Sequence, residues 1–331
     1  MNASYDFNRH WITVPRNGPR SPAPVYKLVS YNILAQDQLL RHMTSYAGID
    51  SQLLSWRRRL TNLRRELDTL NSDLLCLQEV QCNHLPQIVA RLKNGVRHYD
   101  YVYQQKLEDR SDGCAILYDK HKFLLADNRA LACHIGNSGD STRGAHQSTT
   151  DPCREYYALM AKFKLRSQTP QAEPKPEREL IVANAHMLQW EASKPDIRQA
   201  QVKHLLKGMA DFCYDNGSKM RNPILLAGDF NFETESEAYA ILTARTASFR
   251  HPLQMVSIYG HNNSTATTCT PTLGWTNADH MFFSRGNQRH ELRICSYYKL
   301  PRMRICERIG ELPNKYLGSD HYCLGATFTV E

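Results

Sequence analysis

The sequence lacks the signals that mark membrane proteins, secreted proteins and zinc-binding modules. None of its apolar runs approaches the roughly 20 residues that a helix needs to cross a bilayer. The N-terminus has no basic-then-apolar signal pattern, and the ten cysteines show no C-x2-C spacing. Cys76, Cys114 and Cys323 lie within apolar runs. We therefore expect reduced core thiols in a cytoplasmic or nuclear protein, with no membrane partner.

Internal repeats and low-complexity linkers are absent as well. The length of 331 residues exceeds the usual size of one domain, but multi-layered α/β folds often reach it. We expect an irregular lead over residues 1–24, in which Phe7 and Trp11 are candidate anchors, followed by a single catalytic domain over 25–331.

The chain carries more basic than acidic residues, 41 against 33, which gives a formal charge of +8. This excess favours a polyanionic partner such as nucleic acid, although it also serves ordinary solubility. Arg57, Arg58, Arg64 and Arg65 fall on a predicted amphipathic helix over 55–70. Such runs usually form a solvated helix face, so charge alone leaves nucleic-acid binding open.

Apolar runs typical of strands alternate with helical patterns, which predicts an α/β fold. The predicted strands are 25–34, 73–80, 99–104, 113–119, 123–128, 156–165, 179–187, 223–229, 278–284, 292–300 and 323–330. The predicted helices are 55–70, a second that begins at 195 and runs through 212, and 236–244. Two polar segments, 134–152 and 167–179, are predicted to be exposed loops, and the second joins two antiparallel strands.

Many of these apolar runs end in an acid, an amide or a histidine. The polar ends are Asn32, Glu79, Asn184 to His186, Asp229 to Asn231, Asp279 and Asp320 to His321. Because an isolated buried charge is costly, such ends are best explained if they meet in one polar site. A site of this composition suits a divalent cation and a phosphate.

Glu79 ends a short run that is typical of a strand buried on both faces. Its carboxylate is a hard oxygen ligand, and Mg²⁺ is commonly held by one or two carboxylates together with water and substrate phosphates. The alternative is a salt-bridged residue at a sheet edge. Glu79 is therefore the candidate ligand for Mg²⁺, with Mn²⁺ as an alternative cation.

Asp229 and Asn231 lie at the end of a predicted strand, next to Gly228. Side chains two residues apart point to the same space, and a glycine lets the backbone approach a ligand closely. Asp229 is a candidate to orient and deprotonate a water molecule, and Asn231 to donate to a phosphoryl oxygen. The alternative is an ordinary capped turn, which these residue types also favour.

Asp279 and His321 form the third candidate group. A histidine that binds phosphate is well oriented by a carboxylate on its other ring nitrogen, which also favours the charged imidazole. Each residue taken singly is more often structural, and the sequence does not show that they touch. Their place among other polar strand ends favours a shared site.

Six motifs in order carry a resemblance to a known superfamily. They are Ser-Tyr-Asn-Ile-Leu-Ala from 30, Cys-Leu-Gln-Glu-Val from 76, Asp-Gly-Cys-Ala-Ile from 112, Asn-Ala-His from 184, Gly-Asp-Phe-Asn from 228 and Ser-Asp-His from 319. This succession resembles the exonuclease/endonuclease/phosphatase superfamily, and within it the branch of nocturnin, the poly(A) deadenylases and the Angel proteins. The stretch 30–37 and Leu312-Pro313-Asn314 favour the Angel proteins.

The resemblance implies a four-layer α/β sandwich, in which two mixed β-sheets pack face to face and helices flank them. It also implies a Mg²⁺ site at one end of the sheets. Carried over to this sequence, Glu79 is the implied main ligand, with Asn32 nearby and Asp320 as a further contributor.

The same resemblance assigns catalytic roles. Asp229 corresponds to the residue that positions the attacking water, and Asn231 to a donor that stabilises the transition state. His186 and His321 correspond to phosphate-binding imidazoles, with Asp279 as the partner of His321. All of these positions keep the family's residue type, which argues that this chain has not lost catalytic activity.

The implied function is a phosphoester hydrolase that acts at RNA 3′ ends, and the likeness to the Angel proteins favours removal of a terminal 2′,3′-cyclic phosphate. One alternative is a 3′ poly(A)-specific exoribonuclease. Another is a non-catalytic RNA-binding regulator of translation, which the complete set of acids, amides and histidines disfavours. No residue in the sequence decides between the two enzymes.

Two further features bear on packing and substrate. The family usually has tyrosine where this chain has His280, and we interpret the change as one of packing because the side chain should point away from Asp279. Trp190, Phe232 and Trp275 lie near the motifs. Each is a candidate either for stacking on an RNA base or for core packing.

Overall fold

A computed structural model provides the structure of the chain. It describes residues 8–15, 23–92, 97–107, 109–134, 154–167, 178–187, 195–214, 220–246, 249–260, 265–270 and 274–331. Among these residues, no helix is both long and apolar enough to cross a membrane. The predicted loops 134–152 and 167–179, and the aromatic candidates Phe7 and Trp190, lie wholly or mostly outside the described residues.

The described strands are β1 (Trp11–Thr13), β2 (Tyr26–Asn32), β3 (Leu74–Gln81), β4 (Tyr99–Gln105), β5 (Asp112–Asp119), β6 (Phe123–His134), β7 (Arg154–Leu165), β8 (Glu179–His186), β9 (Ile224–Asp229), β10 (Gln254–Ser257), β11 (Thr268–Thr270), β12 (Gly274–Thr276), β13 (Asp279–Arg285), β14 (Leu292–Tyr298) and β15 (Leu324–Val330). The α-helices are α1 (Gln36–Arg41), α2 (Ser51–Leu54), α3 (Trp56–Leu70), α4 (Leu85–Leu92), α5 (Pro195–Cys213), α6 (Glu237–Leu242) and α7 (Met303–Ile309). A short 3-10 helix spans Met43–Tyr46.

The strands form two large mixed sheets and a small hairpin. The seven-stranded sheet has the order β1-β14-β15-β2-β3-β5-β4, and the six-stranded sheet has the order β10-β13-β9-β8-β7-β6. Each sheet contains one parallel pair, β2 with β3 and β8 with β9, while its other neighbours are antiparallel. The predicted antiparallel pairing of β7 with β8 is confirmed.

The two sheets pack face to face, and helices cover their outer faces. The core between the sheets includes Cys76 and Ile116 from one sheet and Phe163 and Val182 from the other. The outer face of the seven-stranded sheet packs against α3 and α4, and that of the six-stranded sheet against α5 and α6. The four-layer α/β sandwich expected from the sequence is therefore confirmed.

Helix α3 follows the predicted pattern closely. Leu60, Leu63 and Leu67 are buried against the sheet, whereas the four arginines predicted to face solvent are exposed. The helix ends at Asn71, which adopts a left-handed conformation with φ 44° and donates its N–H to the carbonyl of Leu67. Apolar residues at helical spacing thus determined both the extent and the orientation of this element.

The N-terminal lead differs from the expectation of an irregular segment. Strand β1 pairs antiparallel with β14, and the ring of Trp11 lies 5.3 Å from that of Tyr298. Arg9 is held in the protein by hydrogen bonds to Glu66 Oε1 at 3.2 Å and to the carbonyl of Lys299 at 3.0 Å. The prediction was wrong for 11–13, because three residues of strand carry too little periodicity to be recognised.

The nine described cysteines are all unpaired. Cys76, Cys114 and Cys323 are buried, as their apolar surroundings in the sequence indicated. Burial raises the pKa of Cys114 to about 12, so its thiol stays protonated at neutral pH. The buried cysteines among the described residues thus contribute to packing.

Candidate active site

The topology brings the polar strand ends to one edge of the sandwich. Parallel strands end on the same side of a sheet, so Asn32 and Glu79 leave β2 and β3 together, and His186 and Asp229 leave β8 and β9 together. Strand β13 runs antiparallel to β9 and begins with Asp279 directly opposite Asp229. The convergence predicted from the sequence is therefore present.

Glu79 points into this edge because its backbone departs from the strand. The β3–β5 register shifts between Leu77 and Val80, and Glu79 adopts φ 54°. A positive φ at a residue with a side chain costs on the order of 1–3 kcal/mol, and bulges often aim a functional side chain. The carboxylate accepts the Ala35 N–H at Oε2, 3.0 Å, and the Asn32 amide at Oε1, 3.1 Å.

Asn32 links two carboxylates. Its Nδ2 donates both to Glu79 Oε1 and to Asp229 Oδ2, the latter at 3.0 Å, while its Oδ1 accepts the Leu34 N–H at 3.0 Å. In this arrangement the oxygen of Asn32 is turned away from the carboxylates. Asn32 therefore orients Glu79 and Asp229 as a hydrogen-bond donor, and its role beside a metal ion stays a prediction.

Asp229 lies at the centre of the group. Its Oδ1 accepts the Asn231 N–H at 3.0 Å, and its Oδ2 lies 3.8 Å from Nε2 of both His186 and His321. Burial, together with the negative charge of Asp279, raises the pKa of Asp229 to about 7. A carboxyl group that titrates near neutral pH is well matched to accept a proton from water.

Asp279 and His321 are in direct contact. Asp279 Oδ2 lies 2.9 Å from His321 Nδ1, and the Thr268 hydroxyl lies 2.9 Å from the same carboxylate oxygen and 2.9 Å from the same ring nitrogen. Although burial opposes it, the negative charges of Asp279 and Asp320 raise the pKa of His321 well above its usual range. His321 thus carries a proton on Nε2, which faces Asp229.

His186 has the opposite electrostatic character. Burial lowers its pKa well below the usual range, and the positive charges of Lys106 and His321 add to this effect. Its Nε2 lies 3.9 Å from Glu79 Oε1, so the ring faces the acidic centre as a neutral group. The two imidazoles predicted to bind phosphate therefore lie close together. At neutral pH only His321 carries a positive charge.

Asn231 occupies the rim next to Asp229 in a left-handed conformation with φ 51°. Its Nδ2 donates one hydrogen bond to the carbonyl of Met187 at 2.9 Å. A side-chain amide has two N–H groups, so this contact fixes the orientation of Asn231 and leaves the second N–H for a substrate oxygen.

Asp320 completes the acidic group from the side of the seven-stranded sheet. Its Oδ2 accepts the Tyr46 hydroxyl at 2.8 Å, and its Oδ1 lies 3.7 Å from His321 Nε2.

Burial, followed by the charges of Asp112 and Asp320, raises the pKa of Glu79. The site therefore holds more negative charge than its own cations neutralise.

This donor set fits a divalent cation. Ligand atoms of Asp229, Asp279 and His321 all lie within 4.8 Å of one another. However, His321 holds its proton and is bonded to Asp279, and a protonated imidazole is not a ligand. Glu79 and Asp320 are the better match, because hard divalent cations prefer carboxylate oxygens.

Gly228 has a structural role between β8 and β9. Its φ is +150°, and a Cβ at this position would lie 1.9 Å from the carbonyl oxygen of Ala185. The glycine therefore permits the close pairing of β9 with β8. This packing places Asp229 beside His186.

The sequence of the whole chain matches a known relative. The model of the endonuclease/exonuclease/phosphatase family matches residues 29–187. Protein angel of Drosophila melanogaster is 38% identical over 340 residues, a match that covers 100% of this chain and 89% of that protein. The chain belongs to the endonuclease/exonuclease/phosphatase family. The resemblance to the Angel proteins recognised in the motifs is thereby confirmed.

Solved structures of other family members share the fold. The crystal structure of ANGEL2 with adenosine-2′,3′-vanadate has a TM-score of 0.75 at 22% identity and covers 98% of this chain and 99% of that one. The human nocturnin catalytic domain has a TM-score of 0.61 at 19% identity, with 98% of each chain covered. The four-layer sandwich of this family member is thus the arrangement found in both.

Three residues that support the site were missed in the sequence. Arg59 is completely buried, and Tyr46 and Thr268 bond to the acids of the site. Arg59 lies four residues before Leu63 on α3, so its place in the apolar stripe was a signal available in the sequence. Tyr46 and Thr268 lie in a 3-10 turn and a three-residue strand, where no periodic pattern identifies them.

A polar link between the sheets was also missed. Gln78 Nε2 donates to Asn184 Oδ1 at 2.7 Å, and Asn184 Nδ2 donates to the carbonyls of Leu77 and Ala115, each at 2.9 Å. All four residues are buried. This link joins β3 to β8 one residue before Glu79 and two residues before His186, and therefore fixes the two halves of the site relative to each other.

The remaining sequence expectations concern aromatic packing. His280 is buried on the outer face of its sheet, stacks on Phe232 with ring centroids 5.7 Å apart, and lies 2.7 Å from the Phe232 carbonyl oxygen. The interpretation of His280 as a packing change is therefore confirmed. Phe232 is only 3% exposed and so belongs to the core. Trp275 is partly buried and stacks on Tyr322 at 5.7 Å.

Proposed function

We propose that this protein is a divalent-metal-dependent phosphoester hydrolase that removes terminal 2′,3′-cyclic phosphates from RNA. The observation that carries the proposal is the placement of a carboxyl group, Asp229, 3.8 Å from a charged imidazole, His321, in one buried acidic site. The relative of known fold, ANGEL2, is described as a 2′,3′-cyclic phosphatase. Protein angel, 38% identical, supports extending that activity to this chain.

In this reaction Asp229 orients water and takes its proton. The water oxygen forms a bond to phosphorus, the bond from phosphorus to the 2′ or the 3′ oxygen breaks, and the released oxygen is protonated. His321 holds the proton that stabilises the developing charge, and Asn231 donates its second N–H to a phosphoryl oxygen. A second hydrolysis of the resulting monoester releases inorganic phosphate and leaves a 2′,3′-diol.

Glu79 would hold the cation, with Asp320 as a further ligand. Asn32 and the Ala35 N–H fix the Glu79 carboxylate. Mg²⁺, or Mn²⁺ in its place, supplies neutralisation of the phosphoryl charge and polarisation of a phosphoryl oxygen when bound. His186 is neutral, so it can donate a hydrogen bond to the phosphate without repelling the cation.

A second candidate function is 3′ exonucleolytic removal of adenosines. The Ccr4 exoribonuclease subunit of Schizosaccharomyces pombe is 25% identical over 92% of this chain and 49% of that protein. The same water-activating and phosphate-binding groups serve hydrolysis of a phosphodiester. A non-catalytic RNA-binding role is less compatible with the site, because it would not require strained Glu79 or paired Asp279 and His321.

The test is a comparison of RNA ends. Purified protein with Mg²⁺ is given matched oligonucleotides that end in a 2′,3′-cyclic phosphate, a 3′-phosphate or an unmodified A-tail. We expect the cyclic end to be converted to a diol faster than the A-tail is shortened. Progressive shortening of the tail with the cyclic end left intact would establish the exoribonuclease instead. Glu79→Ala serves as the inactive control.

A further inference from the structure

A polar cavity of about 240 Å³ adjoins the active site. It shares Asp279 with the catalytic group, and its other walls include Asn277, Tyr297, Lys299 and Arg302. Because Asp279 is also bonded to His321 at 2.9 Å, the cavity lies next to the catalytic group. A substrate bound at the catalytic group therefore has this cavity beside it.

The charges that line this cavity suit an anion. Lys299 and Arg302 are its two cations, and Asp279 is the acid among the lining residues. The Asp279 carboxylate already pairs with His321. Among the described residues, neither Lys299 nor Arg302 has a salt-bridge partner. The two cations are thus free to pair with a phosphate, for which Lys and Arg are the usual partners.

The size and the remaining wall suit one nucleotide. A volume of about 240 Å³ lies just below the ~300–1,000 Å³ of pockets for larger ligands. Tyr297 is half-buried, and its ring is fixed edge-on by Tyr259, with ring centroids 5.2 Å apart. A fixed aromatic ring offers a surface for a base or a sugar.

We propose that this cavity binds the nucleotide that precedes the 3′-terminal one in the RNA substrate. Lys299 and Arg302 hold its phosphate, and Tyr297 packs against its base or sugar. The proposal rests on the proposed function, since it places the terminal phosphate beside His321. It makes the enzyme selective for an RNA strand over a single cyclic nucleotide, through contacts that do not depend on base identity.

The experiment uses the double variant Lys299→Ala/Arg302→Ala and a charge-matched control, Arg57→Ala/Lys207→Ala, whose residues are exposed on α3 and α5. Each protein is assayed with Mg²⁺ on a nucleoside 2′,3′-cyclic monophosphate and on an oligonucleotide with the same terminal group. We expect kcat/KM of the double variant to fall about tenfold or more on the oligonucleotide, as loss of charged hydrogen bonds predicts, and to stay unchanged on the mononucleotide.

Binding gives a second measurement that does not require turnover. The affinity for an oligonucleotide with an unmodified 3′ end is measured at several salt concentrations. For a single strand, each phosphate that the protein no longer neutralises reduces the slope of log K against log salt by about 0.7. The double variant should therefore show a shallower slope than the control.

The outcomes separate the two proposals. If the wild type does not hydrolyse cyclic phosphates but the double variant binds RNA more weakly than the control, the proposed activity fails and the RNA site stands. If the double variant matches the control in binding, salt slope and oligonucleotide kcat/KM, the RNA site is overturned, whatever the activity. An equal fall in kcat/KM on the mononucleotide and on the oligonucleotide would likewise overturn the RNA site.

Discussion

Arg59 donates a 2.7 Å hydrogen bond from Nη1 to the backbone carbonyl oxygen of Leu34. Its Nη2 also donates to the carbonyl of Ile33 at 3.1 Å. Burial lowers the pKa of Arg59 to about 10, partly offset by the charge of Asp320, so the guanidinium remains charged at neutral pH. Ile33 and Leu34 lie between Asn32 and Ala35, which both bond Glu79. Arg59 therefore holds the loop that positions the main candidate ligand.

The first prediction concerns this loop. Arg59→Met leaves the carbonyls of Ile33 and Leu34 buried without their donor, and each such group costs about 1–3 kcal/mol. We expect the free energy of unfolding to fall by about 3 kcal/mol in urea denaturation. Arg57→Met, on the exposed face of the same helix, should change it by less than about 0.5 kcal/mol. Equal effects of the two substitutions would contradict a specific role for Arg59.

The second prediction concerns the cation. Glu79→Ala should abolish turnover with little loss of folding, because it removes a candidate ligand and relieves crowding with Asp112 and Asp320. Thermal melts should show Mg²⁺ stabilising the wild type, by about 2.7 kcal/mol at a hundred times its Kd, but not the variant. Near-wild-type activity of the variant would show that Glu79 is not a required metal ligand.

The third prediction concerns proton transfer and phosphate binding. Asp229→Asn and His321→Ala should each lower the rate constant by at least about a hundredfold, since a water-activating group or an oriented donor contributes that much or more. RNA binding should survive in both variants, because contacts to the RNA backbone supply most of the affinity. Variants that hydrolyse RNA ends normally but lose affinity would support a binding module.

The fourth prediction concerns pH in the metal-free protein. Burial and Asp279 raise the pKa of Asp229 from 3.8 to about 7, so the folded state holds this proton more tightly than the unfolded state. The contribution of Asp229 to stability is therefore greatest below pH 4 and is lost as pH rises to about 7. At about 1.4 kcal/mol per pKa unit, the loss is at most about 4 kcal/mol.

Denaturation of the wild type and Asp229→Asn in EDTA, between pH 4 and pH 8, measures this contribution. The stability of the wild type relative to the variant should decrease as pH rises, because asparagine does not titrate. Saturating Mg²⁺ should reduce the decrease, since a bound cation neutralises the carboxylates. Parallel stability curves in EDTA would show that Asp229 titrates in its ordinary range.

The sequence by itself determined the longer strands, the two long helices and the candidate residues of the site. Apolar runs and helical spacing report burial locally, so β9 and α3 were predicted nearly to their observed bounds. Asn32, Glu79 and Asp229 were identified because a polar residue at the end of a buried strand is costly unless it has partners. Short elements such as β1 and α2 were not predicted, since three or four residues are too few to show the repeat of a strand or of a helix.

The tertiary structure alone decided which of these groups touch and what charge they carry. Asp279 and His321 are 42 positions apart in the chain, and their contact depends on the packing of the two sheets. The amide of Asn32 became a donor because the Leu34 N–H occupies its oxygen. Arg59 is buried where an apolar residue would be expected, because two loop carbonyls face it. Such contacts join distant segments, and local sequence patterns record burial but not the partner across the core.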